Sequence, residues 1–346
     1  MSTKLAVVIL NWNGCAMMKR FLPSVVACSS LEGVKVIVAD NGSTDDSLKM
    51  LSEEFPMVET VVLNRNYGFA EGYNRALKQV EATYYMLLNS DVEVTPDWLK
   101  PLLAYMDEHL EMAACQPKLL SFHDKEQDGR EVFEYAGACG GFLDKYGYPF
   151  CRGRVFSTIE DDRGQYDSVR SIFWATGAAL LVRAVDYWKV GGLDGRFFAH
   201  MEEIDFCWRL RSRGRGIACV PSSKVYHVGG ATLNKENPRK TYLNFRNNLL
   251  MLYKNLPEKE LIPVLRIRKI LDYVAALTFL LKGEKDSAVA VFKARKDFRK
   301  ILPSFATDRK EIQNKALLHP VPERISRSLL WRYYVGRKKT FDKVMK

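Results

Sequence analysis

The chain lacks any run of about 20 consecutive apolar residues, the length a helix needs to cross a bilayer. Its cysteines are seven, an odd number, scattered and without a C-x-x-C pair. That pattern argues against both a disulfide framework and a structural zinc site, and it suits a reducing cytosol. The apolar run near the N-terminus is too short for a signal peptide and has no small-residue cleavage site, so a cytoplasmic location is expected. Internal repeats, low-complexity tracts and nucleic-acid-binding motifs are missing as well. So is a glycine-rich cationic loop after the first apolar run, which a triphosphate-binding nucleotidyltransferase would want there.

What is present is ample apolar material and an uneven charge. At 346 residues with 47% hydrophobic content, the chain can bury one large core and carry an appendage. Residues 231–346 hold 27 Lys+Arg against 11 Asp+Glu, a local excess of 16 positive charges. The whole chain is at +11, so residues 1–230 are left at −5. A division at about 235 is therefore expected, with a catalytic body over 1–235 and a basic, mainly helical region over 236–346. Within the latter, Ile270 to Leu281 (ILDYVAALTFLL) is mostly apolar and bracketed by Arg266, Arg268, Lys269, Lys282 and Lys285. This suits a helix lying on an anionic membrane surface, or a core helix with a solvated basic face.

The first 120 residues alternate strand and helix patterns. Apolar runs at Lys4–Asn11, Val34–Asp40, Thr60–Asn64 and Tyr84–Leu88 each spill into Asn, Asp, Ser and Gly where a helix is about to begin. The expected fold is α/β, with a mixed, mostly parallel nucleotide-binding sheet flanked by helices. Ligands of such sheets bind at the carboxyl ends of the strands. Residues 121–171 read as short strands and loops beside that edge.

Candidate chemistry follows from the strand ends. Asp40 can accept the imide N–H of a uracil or thymine, or it can cap a turn with Asn41, Gly42 and Ser43. Asn89-Ser90-Asp91 closes a buried strand with oxygen ligands suited to Mg²⁺ or Mn²⁺, and His227, in Val-Tyr-His-Val-Gly-Gly, is a second ligand candidate. Glu202, Glu203 and Asp205 open a helix and supply carboxylates for a general base. Successive helical residues diverge by about 100°, so only one of Glu202 and Glu203 can face a given hydroxyl.

The order of VVILNWNG, VIVADNGSTDDS, NYGFAEGYNRAL, LLNSDVEV, WATGAALLVR, GGLDGRFFAHMEEIDFCWRL and VYHVGG resembles glycosyltransferase family 2, especially its bacterial rhamnosyltransferase-like branch, over roughly residues 4–230. The resemblance implies a GT-A fold and inverting, metal-dependent transfer from a nucleoside-diphosphate sugar to a hydroxyl. By it, Asn11, Asn13, Asp40, Asn41, Ser43, Asn66, Gly68, Asn74, Asn89 and Ser90 are expected around the donor. Asp91 and His227 would hold the metal, and Glu203 would be the base, with Glu202 or Asp205 as alternatives. Trp174 is expected either to stack on an acceptor or donor sugar or to pack in the core, and Gly177 and Ala178 to allow close backbone approach beneath the sugar. Two residues depart from the family pattern: Asn89 replaces the first acid of its D-x-D motif, and Glu203 replaces an Asp.

The Q-x-x-R-W signature and multiple spans of a processive synthase are missing. A lipid-linked acceptor in cell-surface glycan assembly, at the cytoplasmic face of a membrane, fits the basic tail; nucleic acid is not expected as a partner. A catalytically silent, membrane-docked sugar-binding scaffold is the alternative, suggested by Asn89.

Overall fold

A computed structural model describes residues 3–229 and 237–346. Its strands in chain order are β1 (Leu5–Asn11), β2 (Val34–Asp40), β3 (Glu59–Val62), β4 (Tyr84–Leu88), β5 (Val92–Val94) and β6 (Met112–Ser121). These are followed by β7 (Gly141–Asp144), β8 (Pro149–Cys151), β9 (Arg154–Val155), β10 (Thr158–Ile159), β11 (Arg170–Ser171), β12 (Ala179–Arg183), β13 (Gly216–His227) and β14 (Arg324–Ile325).

Nine of them form one sheet in the order β11-β13-β6-β12-β4-β1-β2-β3, with β5 on β13. β3, β2, β1 and β4 run parallel, β12 enters antiparallel between β4 and β6, and β13 returns parallel to β6. The chain leaves β1 toward β2 on one side and reaches β4 on the other, so the order reverses beside β1. That reversal opens a crevice beyond the strand ends.

β1 shows why the sheet is sandwiched. Leu5, Val7 and Ile9 face one apolar layer, with Met18, Leu22, Leu99 and Leu102 of the helices α1 (Cys15–Cys28) and, beyond α2 (Ser47–Glu54) and α3 (Gly68–Leu77), α4 (Leu99–Glu108). Ala6 and Val8 face the other layer, which includes Tyr73 and Leu77 of α3. Residues two apart on a strand share a face, and here both faces are covered.

After α5 (Phe122–Asp128), residues 141–159 together with β14 build a second, smaller sheet in the order β10-β9-β8-β7-β14. α6 (Ala184–Lys189) leads to α7 (Glu202–Ser212), which is buried along nearly its whole length, Trp208 included. Ile204, Cys207, Trp208 and Arg211, which share one helical face in the sequence, are therefore only part of what it buries.

The basic region continues as α8 (Pro238–Asn255), α9 (Glu258–Leu281), α10 (Lys285–Ile301), α11 (Ala306–Lys315) and α12 (Phe341–Met345). It is woven into the rest: β14 pairs parallel with β7, and the Phe341 ring lies 5.0 Å from that of Phe142. Among the described residues, no helix is long and apolar enough to cross a membrane.

Candidate active site

The ends of β1 and β2 meet first. Their register sets Asn11 opposite Asp40. Asn11 Nδ2 donates to Asp40 Oδ1 and to Ser43 Oγ, each at 3.1 Å, and Ser43 N donates to Asp40 Oδ2 at 2.9 Å. Asn13, in the left-handed region at φ 51°, accepts from Thr44 N at 2.7 Å, and its own N–H reaches Ser43 Oγ at 2.9 Å. Asn11 Oδ1 is buried without a partner. A Cβ on Gly14 would stand 2.4 Å from that oxygen and 3.6 Å from Ser90 Oγ, so glycine keeps the corner between β1 and β4 open. Trp12, 49% exposed, stands on the same loop, and its sequence position alone did not single it out.

Asn41 shapes this corner from behind. Its Oδ1 accepts from Tyr67 N at 3.0 Å, and its Nδ2 donates to Asn66 Oδ1 at 3.2 Å and Gly68 O at 3.1 Å. Asn66 also accepts from Gly68 N at 2.8 Å. The amide is buried and occupied, so Asn41 orders the Asn66–Gly68 loop and is not itself available to a ligand. Asn74 is likewise removed from the donor set. Its Oδ1 takes Tyr187 Oη at 2.7 Å and Leu193 N at 3.1 Å, and its Nδ2 gives to Leu193 O at 2.7 Å.

Beyond β4 the chain turns through Asn89 and Ser90 to Asp91. β5 pairs antiparallel with the end of β13, and Val228 N donates to Asp91 O at 3.1 Å, which draws His227 alongside. His227 Nε2 is 3.2 Å from Asp91 Oδ1 and 3.4 Å from Asn89 Nδ2. The other ring nitrogen, Nδ1, is 3.4 Å from Glu134 Oε1. That contact is electrostatic, since its geometry does not make a hydrogen bond. Burial disfavours charge on the imidazole, but Asp91 and Glu134 outweigh it and lift the pKa to about 10. Burial also works against ionising Asp91, and the His227 charge overcomes it, holding the carboxyl below its ordinary value.

Glu134 was not legible as a site residue, because it sits in the loop-rich segment with no motif around it. Its backbone N–H donates to Leu119 O at 3.0 Å, and this fixes it beside β6. Among the described residues, no three His, Cys, Asp or Glu are grouped to hold a metal ion. Asp91 Oδ1 and His227 Nε2, 3.2 Å apart, offer one oxygen and one nitrogen donor side by side, a pair that suits a divalent ion only if its other ligands come from outside the protein.

The third component is the start of α7. Asn89 N donates to Ala178 O at 3.0 Å, carrying the edge of β4 across to Gly177. A Cβ on Gly177 would lie 3.0 Å from the Phe69 ring and 3.9 Å from Glu203 Cβ. Phe198, His200 and Met201, just before α7, all have positive φ, a concentration of backbone strain typical of functional sites. His200 Nε2, Glu202 Oε2 and Glu203 Oε2 are buried without partners. Burial pushes the Glu203 carboxyl up to about 7 against its backbone hydrogen bonds. Burial and the neighbouring Glu203 push Glu202 well above the ordinary range. Glu203 is the more exposed of the two; Glu202 is 4% exposed.

Two further expectations are corrected here. Asp205 is fully buried and held by Arg209 Nε at 2.9 Å, Lys254 Nζ at 2.7 Å and Asn255 Nδ2 at 2.7 Å, so it cannot serve as a base. Trp174 is 2% exposed, its Nε1 donates to Phe142 O at 3.0 Å, and its ring fills the space a Cβ on Gly141 would need. It is a core residue and does not meet a sugar. Gly177 and Ala178 do lie on the edge, Ala178 through its backbone.

A cavity of 530 Å³ lies at the opposite edge of the sheet among Thr3, Lys35, Glu59 and Thr83, away from all of these groups. The candidate site is the open crevice.

Residues 6–156 match the family model "Glycosyl transferase family 2". The chain carries a family 2 glycosyltransferase domain. Among curated proteins, this glycosyltransferase is 28% identical over 243 residues to the N-acetylglucosaminyl-diphospho-decaprenol L-rhamnosyltransferase of Mycobacterium tuberculosis, covering 66% of this chain and 76% of that one. It is 27% identical over 205 residues to rhamnosyltransferase WbbL of Escherichia coli K12, covering 57% and 73%. In structure it resembles S. aureus TarS 1–349 in complex with UDP-GlcNAc, with a TM-score of 0.55, 17% identity and coverage of 96% and 92%. GalNAc-T7 with UDP, GalNAc and Mn²⁺ gives a TM-score of 0.58 at 15% identity, covering 93% of this chain and 59% of that one. The glycosyltransferase therefore has the GT-A fold, a mixed sheet flanked by helices with a helical C-terminal region.

Proposed function

We propose that the protein transfers a sugar, with inversion and one residue at a time, from a nucleoside-diphosphate sugar to a hydroxyl of a lipid-linked glycan acceptor in cell-surface polysaccharide assembly. Rhamnose on thymidine diphosphate is the preferred donor, followed by UDP-sugars. The rhamnosyltransferase relatives support the sugar and the acceptor class. The single observation supporting the chemistry is that the strand edge bearing the Asp91–His227 pair continues, through Asn89 N on Ala178 O, to Gly177, which packs beside Glu203 at the start of α7.

In this reading the base of the donor enters the Asn11–Asp40–Ser43 corner, where the bare Asn11 Oδ1 accepts a hydrogen bond and Trp12 offers a flat face. Asp91 and His227 would hold Mg²⁺ or Mn²⁺, which would neutralise charge on the departing diphosphate. Glu203 takes the proton of the acceptor hydroxyl as that oxygen attacks the anomeric carbon. A carboxylate poised near 7 is ionised often enough at neutral pH and basic enough to accept the proton. Glu202, 4% exposed and with its carboxyl pushed well above the ordinary range, stays a bystander. The acceptor carrier would hold the enzyme at the inner face of the cytoplasmic membrane, as a peripheral protein.

A donor panel tests this: purified protein, Mg²⁺ or Mn²⁺, and a set of nucleotide sugars, with release of nucleoside diphosphate followed with and without EDTA. Turnover of one donor that chelation abolishes is expected. Failure to bind any nucleotide would sink the reading.

A further inference from the structure

α9 has two unlike faces. Leu261, Val264, Arg268, Asp272 and Ala276, spaced by three and four residues, are buried against the body. Arg268 donates to Asp272 Oδ1 and to Tyr146 O, and it is hydrogen-bonded to Asn248 of α8. On the opposite side, Ile270, Val274, Leu277 and Leu281 follow at intervals of four, three and four. They are 60%, 55%, 56% and 81% exposed. Ile267 and, from α10, Phe292 widen this stripe, the Phe292 ring lying 5.6 Å from that of Tyr273. A contiguous apolar helix face left in water marks an interaction surface.

The charges around the stripe say what it meets. Arg266, Lys269, Lys282, Lys285 and Lys296 are exposed along its borders. Of the acids on the same helices, Glu260 pairs with Arg324, Asp272 with Arg268 and Arg295, and Asp297 with Tyr242; Glu258 pairs with Arg309 at the surface, and Asp286 is exposed, so cations outnumber acids along the rim. A second copy of the chain would bring two cationic rims together. A sheet of anionic headgroups over acyl chains complements both the rim and the stripe. The helix cannot span, so it lies flat.

We propose that the exposed face of α9, with the adjoining edge of α10, docks on an anionic lipid bilayer. This deepens the proposed use of a membrane-borne acceptor and rests on that reading. The surface is tied to the site through α8. Asn248 meets Arg268 of α9 and lies 3.8 Å from Met201 Sδ, while Asn247 Nδ2 donates to the carbonyls of Phe197, Ala199 and His200 before Glu203.

The test is flotation of the full chain with phosphatidylglycerol/phosphatidylcholine vesicles and with pure phosphatidylcholine vesicles, at about 0.1 M salt where surface charge still acts. Wild type should float with the anionic vesicles only. The double variants Ile270→Ser/Leu277→Ser and Lys269→Glu/Lys282→Glu should each lose about tenfold or more of that binding. Donor hydrolysis in lipid-free buffer should be unchanged in both. Equal flotation of either variant and wild type, or no flotation of wild type, overturns the proposal. So does a wild-type dimer that the Ile270→Ser/Leu277→Ser variant splits, because a second copy would then cover the stripe. Vesicle binding without turnover of any donor would refute the transfer reading while leaving the docking surface standing.

Discussion

Lys254 Nζ lies 2.7 Å from Asp205 Oδ2, a buried ion pair that bolts α8 of the C-terminal region to α7, the helix that Glu203 opens. Lys254 reaches Asp194 Oδ2 at 2.7 Å as well. Removing one partner of a buried pair strands the other and costs about 3–5 kcal/mol. Arg209 and Asn255 remain beside Asp205, so Lys254→Met should cost about 3 kcal/mol, read as a lower denaturation midpoint with an unchanged m-value. A chain ending at residue 235 would lose Lys254, Asn255 and Asn247 together. It should give no cooperative unfolding transition and no turnover.

The protonation of Glu203 sets a pH profile. A general base works ionised, so the transfer rate should rise with pH through about 7 and level above it. Glu203→Gln should abolish transfer while nucleotide binding, followed by titration calorimetry, stays within about twofold of wild type. Stability should move the other way. The folded-state pKa exceeds the unfolded one, so the native state binds the extra proton and loses stability as pH climbs from about 4.5 to about 7. That loss should be smaller in Glu203→Gln.

Glu134 lies 3.4 Å from the His227 nitrogen opposite Asp91 and favours that ring orientation electrostatically. Such partners typically change metal affinity about 10–100-fold when altered. Glu134→Gln should raise the Mn²⁺ concentration for half-maximal activity by that factor and leave the saturating rate nearly intact. Asp91→Asn should lower the rate even at saturating Mn²⁺. Equal metal dependence in Glu134→Gln and wild type would remove Glu134 from the site.

The strand ends were legible because an apolar run breaking into Asn, Asp and Ser has few structural uses. β1, β2 and β4 lie where those runs are; at their ends Asn11 meets Asp40, whose two oxygens are taken by Asn11 and Ser43, and Asp91 meets His227. What the residue order hid depends on partners far along the chain. Asp205 looks like Glu203 in sequence, yet Lys254 and Asn255, 49 and 50 residues later, turn it into a structural anchor. Asn74 was hidden the same way by Tyr187 and Leu193. Glu134 reaches His227 only because β6 and β13 pair in register.

Trp174 gives the sharpest contrast between motif and fold. A tryptophan before Ala-Thr-Gly-Ala suggests a platform for a sugar, but its ring is sealed against Gly141 and its N–H is spent on Phe142 O. Trp174→Ala opens a cavity in the main core and should cost about 3–5 kcal/mol. Trp174→Phe keeps most of the packing but removes the Nε1–Phe142 O hydrogen bond, which should cost about 0.5–1.5 kcal/mol. Below its lowered melting temperature, Trp174→Phe should show donor and acceptor KM values within about twofold of wild type, since the ring touches neither. A tenfold rise in either KM without loss of stability would return Trp174 to the sugar site.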